Sequence, residues 1–391
     1  MTTAHLRRDP AGLLIITPPD APLVTDAEPP LDTLVLEVFG GHLTWSLLSG
    51  QQIPAAVLDD TDLAQDWLWA IYGEAVALTI ADLEAGGSAS TAESGRAGIE
   101  VVVDAGRPAL ATAARRLAYA HWAARWWPAS TLDAITPLDG GLLAQEIAEL
   151  TTECEALVDG ADAMVEEVEP VRAARANDYA LAAGELNTAE FTLATGTSGW
   201  DWRRCPPGLI DAAEQAVTWE FIRERGLSTV RVTAVAAPGM TATPMPATGL
   251  EPEPKYRTAQ ASGKATTETA GVASSSENAS TREIPAAAPT GAVPAHLRPR
   301  ALVRTATGLA EAGLMLEGDA WTGAAIAPPG AESGLTVDVY VPGLAAFGAG
   351  EAGERQQVRE FALDRLRGAR ENRPDGHLRT EIAAAAADSD F

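Results

Sequence analysis

Five histidines, His5, His42, His121, His296 and His377, are the first residues to test for acid–base or metal chemistry. No two stand four apart, as a helical metal pair requires, and none sits in a recognisable nucleophile arrangement. His121 is the one that falls within a strong helical pattern. It shares a face with Leu110, Ala114 and Leu117, which fits a partly buried core histidine better than a ligand or a base. Asp59-Asp60 with Asp62, and Glu166-Glu167 with Glu169, offer oxygens to a hard cation, but no calcium-loop spacing accompanies them. Helix capping and a solvated helix face explain these runs. Cys154 and Cys205 are the only cysteines, too few for a disulfide framework or a thiolate zinc site, and Cys154 lies on the apolar face of a helix. Nucleophile elbows, phosphate loops and dinucleotide fingerprints do not occur. The expectation is a chain without catalytic signature, metal or cofactor.

Two local clusters stand out instead. The first runs from His121 through Trp122, Arg125, Trp126 and Trp127 to Pro128, Ala129 and Ser130. Trp122 and Trp126 are one helical turn apart and share a face, whereas Trp127 points elsewhere and Pro128 stops the helix. The second is Gly199-Trp200-Asp201-Trp202-Arg203-Arg204-Cys205-Pro206-Pro207-Gly208. In an extended chain Trp200 and Trp202 face one way and Asp201 and Arg203 the other. Packing of a helical module against a sheet would use these residues, with Arg203 or Arg204 paired to Asp201 or stacked on an indole. Aromatic and arginine side chains are also what a binding hot spot is made of. The candidate binding residues are therefore Trp122, Trp126, Trp127, Trp200, Trp202, Arg203 and Arg204.

Composition narrows the classes further. The 391 residues carry a formal charge of −26, which opposes nucleic acid or an anionic membrane surface as the main partner. Arg115, Arg116 and Arg125 are the best local basic cluster. Both lysines, Lys255 and Lys264, lie in a low-complexity stretch, so no folded segment can supply a Schiff-base, phosphate-loop or kinase-type lysine. Arg7-Arg8 before Leu13-Leu14-Ile15-Ile16 is too short a pattern for a secretion signal and runs into Pro18-Pro19, and no apolar run is long enough to span a bilayer. A cytoplasmic protein is expected.

The elements that must position these residues fall into three parts. Residues 1–186 read as a mixed, mainly helical domain. Short strands are expected at Gly12–Thr17, Leu34–Phe39 and Ile99–Val103. Helices are expected over Leu63–Glu84, from Pro108 to Trp127, over Gly140–Val158, and over Ala161–Ala183 with a kink at Pro170. Leu63–Glu84 is apolar nearly all round and should be a central buried helix. Residues 187–345 alternate with period two and read as a β-rich domain, interrupted by a disordered insert, 238–297, rich in Ala, Thr, Ser, Pro and Gly. Neither flank has enough strands for a sheet of its own, so the two are expected to pair across the insert. Together they make about seven strands of a small antiparallel β-sandwich or barrel. A C-terminal helix and tail, 350–391, should pack on that domain. The fold class is α+β.

Trp126-Trp127-Pro128-Ala129-Ser130 and Trp200 to Cys205 with Pro206-Pro207-Gly208 resemble a family of uncharacterised actinobacterial proteins, and the tail from Glu381-Ile382-Ala383-Ala384 to Phe391 is similar to that family's ending. The resemblance covers the folded parts, skips the insert, and implies no activity. The reading that follows is a non-catalytic protein-interaction or accessory subunit of a cytosolic multi-component system, of a defence or NTPase-associated kind, with a protein partner. The competing reading is a hydrolase or transferase using carboxylates and His121, which requires those groups to converge in a polar cleft.

Overall fold

The structure is a computed structural model that describes residues 2–25, 29–85, 98–158, 191–205, 207–224, 227–240, 293–306, 308–327, 334–344, 352–374 and 376–387. It is a mixed α+β protein. The expected helix at 161–183 and most of the expected insert lie outside the described residues. The chain is described again from Val293, with a short 3₁₀ turn over Ala295–Leu297.

The N-terminal part holds more sheet than expected. Six strands, β1 (Thr2–Arg8), β2 (Leu14–Thr17), β3 (Thr33–Val38), β4 (Gly41–Ser46), β5 (Ala55–Leu58) and β6 (Ile99–Val103), form one antiparallel sheet in the order β3-β4-β5-β2-β1-β6. Three of them escape a sequence reading for physical reasons. β1 buries Ala4 and Leu6 and turns Arg7 outward, β4 begins on glycine and histidine, and half of β5 is alanine.

The expected single helix over Leu63–Glu84 is two helices, α1 (Thr61–Tyr72) and α2 (Glu74–Ala85). Asp60 caps α1 by accepting from the Asp62 and Leu63 amides. Gly73 breaks the run at φ 92°, and a Cβ there would lie 2.1 Å from the Asp104 carbonyl oxygen, so the chain needs glycine at this point. After the break Leu78 faces outward, 57% exposed, so the segment is not buried all round. α3 (Pro108–Trp126) and α4 (Gly140–Glu153) follow, and α3 lies against β3.

Among the described residues the second part contains eight strands: β7 (Phe191–Ser198), β8 (Val217–Glu224), β9 (Leu227–Val235), β10 (Arg300–Thr305), β11 (Gly308–Gly313), β12 (Met315–Glu317), β13 (Ala320–Ile326) and β14 (Thr336–Tyr340). They form a five-stranded sheet, β12-β13-β9-β8-β7, and a three-stranded sheet, β11-β10-β14. β9 and β13 lie on opposite sides of residues 241–292 and pair antiparallel from Thr229↔Ile326 to Val235↔Ala320. β11 also approaches β13, and β14 approaches β7.

Helices α5 (Ala352–Arg370) and α6 (Arg379–Ala387) close the chain. Expected on the β-rich part, they touch the N-terminal part as well. Phe361 of α5 meets the rings of Tyr119 and Trp122 edge-on, and α6 packs on α4. Buried residues from both parts and from α5 and α6 belong to one hydrophobic core.

Candidate functional site

The two tryptophan motifs meet. Ala212 N donates to Ala129 O at 3.2 Å, and the Asp211 carboxylate between them is fully buried. Ser130 Oγ (2.6 Å) and the Ala213 amide (3.0 Å) donate to Asp211 Oδ1. The Thr131 amide (2.6 Å) and Thr131 Oγ1 (2.9 Å) donate to Oδ2. Burying a carboxylate is tolerable only when its lone pairs are met in this way. Asp211 therefore clasps the turn that follows α3 to the loop that follows Trp200, and its shell is full.

The indoles occupy the interior of this junction. Trp122, Trp127, Trp200 and Trp202 are buried, and the first three donate Nε1–H to Leu31 O (2.7 Å), Thr136 O (3.0 Å) and Asp211 O (3.3 Å). Trp122 stacks on Tyr119 at 5.8 Å, and Trp200 and Trp202 lie 6.2 Å apart. Trp126 is half-buried under the Arg125 guanidinium. Neither arginine of the second motif sits on an indole or on the Asp201 carboxylate: Arg203 reaches Glu354 of α5 (3.2 Å), and Arg204 covers the Tyr340 ring at 5.2 Å. Asp201 instead accepts from the Arg203 amide. A hot spot needs side chains that a partner can reach, and these four indoles are consumed by packing.

Charge is concentrated where α5 crosses this junction. Arg355 and Arg359 are buried, and both reach Glu214, at 2.6 and 3.4 Å, while Arg359 also reaches Asp133 (3.4 Å) and Ala212 O (3.2 Å). Burial tends to raise the Glu214 pKa, but the hydrogen bonds and charges of Arg355 and Arg359 outweigh it and hold the carboxyl below its usual range. Gly199 makes room for this pair, since a Cβ there would lie 2.0 Å from Glu214 Oε1. A second buried carboxylate, Glu381 of α6, accepts from Tyr119 Oη (2.6 Å), from Arg365 Nε and Nη2 (2.8 and 2.6 Å) and from the Leu378 amide (2.6 Å). Burial first, and then the Glu381 charge, push the Tyr119 hydroxyl well above its normal pKa. Both thiols are pushed up to about 12, Cys154 by burial and then by Glu153, Cys205 by burial, which makes them poor nucleophiles.

His121 lies on the face expected, with Leu110, Ala114 and Leu117 all buried beside it and the imidazole itself half-buried. It also borders a cavity of about 230 Å³ between β3 and the helices, lined by Val35, Leu36, Glu37, Leu117, His121, Thr151 and Val158. His121 and Glu37 thus border one cavity. Thr151 spends its hydroxyl proton on Ile147 O at 2.8 Å. Among the described residues no group of three His, Cys, Asp or Glu side chains is placed to hold a metal ion, and no helix is long and apolar enough to cross a membrane.

Sequence reasoning missed one surface residue. All ten tryptophans are described, and Trp69 is the one classed as exposed, at 45%. A helical wheel contained the signal: Trp67, Leu68, Ile71 and Tyr72 make the buried stripe of α1, which leaves Trp69 on the opposite face with Asp62 and Asp66. Asp211, Arg355 and Arg359 were not singled out either, and no spacing in the sequence marks them. No family profile, no curated protein and no solved structure matches the chain.

Proposed function

We propose that the protein is a non-catalytic interaction or accessory subunit of a cytosolic multi-component system, of a defence or NTPase-associated kind, working through a protein partner. Its scaffold is a mixed N-terminal domain followed by a small antiparallel sandwich or barrel made from 187–345. The approach of β11 to β13 and of β14 to β7 supports that closure.

The observation that carries the proposal is Trp69. A large apolar ring held in water is costly, and a rigid exposed indole is the typical anchor of a protein interface. Its surroundings favour a particular partner. Residues 61–85 contain five carboxylates and no lysine or arginine; Glu84 is paired with Arg8, which leaves Asp62, Asp66, Glu74 and Asp82. Leu63 and Leu78 are exposed on the same pair of helices. This is a surface for a basic, amphipathic segment, and carboxylate charge would speed its encounter. The test mixes the protein with the products of neighbouring genes and reads complex formation by size-exclusion chromatography with light scattering. Trp69→Ala should weaken the complex at least tenfold while the protein stays folded, since the part of the ring that lies over Gly106 is the packing that the change removes. A complex indifferent to this substitution, or a protein that stays monomeric with every neighbour, contradicts the reading.

One observation favours the competing hydrolase or transferase: His121 and Glu37 line the same cavity. Turnover of a chromogenic ester or phosphoester that disappears in His121→Ala would establish it.

A further inference from the structure

α6 buries the opposite of what apolar packing would select. The side chains it buries are Thr380, Glu381, Ala384 and Ala385, while Ile382, its largest apolar residue, is 51% exposed. Nine residues, five of them alanine, are also too few to hold a helix alone in water. Its order comes from the charges at its first turn. Leu378 stands at the N-cap, and Glu381, three residues on, returns its carboxylate to the Leu378 amide, as in a capping box. The same carboxylate accepts from Tyr119 of α3 and from Arg365 of α5. Glu146 of α4 accepts the next amide, that of Arg379, at 2.8 Å, and pairs with Arg116. Thr380 Oγ1 donates to Asp139 O at 3.1 Å, and the Arg379 guanidinium meets Glu149 at 2.8 Å. One buried carboxylate, Glu381, thus both caps α6 and docks it.

We propose that α6 is a releasable latch: it is wound only while Glu381 is docked on Arg365 and Tyr119, and it opens as a unit while α3, α4 and α5 stay folded. Capping and docking use the same carboxylate, so the helix loses its cap when it undocks and its dock when it unwinds. Elements with little apolar burial are the first to open. α5 differs in this respect, since it buries Val358, Ala362 and Leu366 beside its arginines. Between the two helices the chain turns at two residues with left-handed backbone, Asn372 (φ 54°) and Gly376 (φ 62°), which supply the hinge. Opening bares the Tyr119 hydroxyl, Arg365 and Glu146, which the docked helix covers, and so changes the surface offered to a partner. The latch goes beyond the Trp69 surface and does not depend on it.

The test is hydrogen–deuterium exchange of the full-length protein near neutral pH, read by mass spectrometry with residue-level fragmentation. The amides from Ile382 to Ala387 should exchange with one common protection, at least tenfold lower than that of the middle of α3 and α5. Glu381→Gln should speed the α6 amides at least tenfold further and leave β8, β9 and β13 unchanged. Tyr119→Phe removes one docking hydrogen bond without touching α6 and should speed the same amides by a smaller factor. Ile382→Ala removes the largest apolar side chain of α6 and should not speed them. Exchange of α6 no faster than that of α5, or exchange indifferent to Glu381→Gln, overturns the proposal. A gradient from slow at Ile382 to fast at Ala387 is end fraying and overturns it too, as does Ile382→Ala acting as strongly as Glu381→Gln. If Glu381→Gln fails to fold, the wild-type rates and Tyr119→Phe decide.

Discussion

Asp211 holds the two tryptophan motifs together, and its removal should show how much the junction depends on it. Four hydrogen bonds converge on the carboxylate, from Ser130 Oγ, Ala213 N, Thr131 N and Thr131 Oγ1, at 2.6 to 3.0 Å. A hydrogen bond to a charged group contributes roughly 1.5–3 kcal/mol, but the four share one desolvated acceptor, so their sum greatly exceeds the net effect. Deleting one partner of a buried charged network costs about 3–5 kcal/mol, because the donors left behind remain buried and unmet. Asp211→Ala should fall in that range. Asp211→Asn keeps the shape and one carbonyl oxygen but turns an NH₂ toward two existing donors, so a loss of about 2–4 kcal/mol is expected, less than for alanine. The assay is urea unfolding followed by tryptophan fluorescence, which reports the indoles packed around the clasp. A lower midpoint with unchanged slope identifies a stability effect. If Asp211→Ala moves stability by less than about 0.5 kcal/mol, the size of an ordinary surface change, the clasp does not hold the junction.

The remaining predictions concern titration. Arg355 and Arg359 hold the Glu214 pKa below its unfolded value of about 4.3. The stabilisation is therefore fully present above that value and is lost as pH falls through the lower folded one. The stability difference between wild type and Glu214→Gln should shrink between pH 6 and pH 3, and a constant difference would contradict the assignment. Both thiols sit at about 12 in the folded protein, against about 8.5 unfolded. The unfolded chain loses these protons first, so the thiols make stability fall as pH rises from about 8.5 toward the folded value. At pH 8 a chromogenic disulfide should label neither cysteine in the native protein and both after denaturation, and fast native labelling would contradict the burial.

The strand pairing across residues 241–292 was legible because both flanks alternate with period two and neither has enough strands alone. Val230 and Val232 on one side, and Trp321 and Ala325 on the other, are buried as that alternation requires. α3 was legible from Pro108 at its first turn and Pro128 after its end. β11 was not, because its Gly-Leu-Ala-Glu-Ala-Gly has weak strand propensity and gains order from pairing with β10. The tryptophan and arginine clusters stand out in the sequence, but composition cannot tell an interface inside one chain from an interface with another. The contacts these residues make are with distant parts of the chain: Glu354 lies 151 residues from Arg203, and Asp211 lies 81 from Ser130. Nothing local marks Arg355 and Arg359 of α5 as buried, since the acids that neutralise them, Glu214 and Asp133, sit in distant loops.

Lys255 and Lys264 are the only lysines, so a lysine-specific protease can cut the chain only between β9 and β13. The two large products should coelute from a sizing column under native conditions and separate in denaturant, because β9 pairs with β13 and α5 and α6 reach back to α3 and α4. Products that part without denaturant, each still folded, would contradict a single structure built from both flanks.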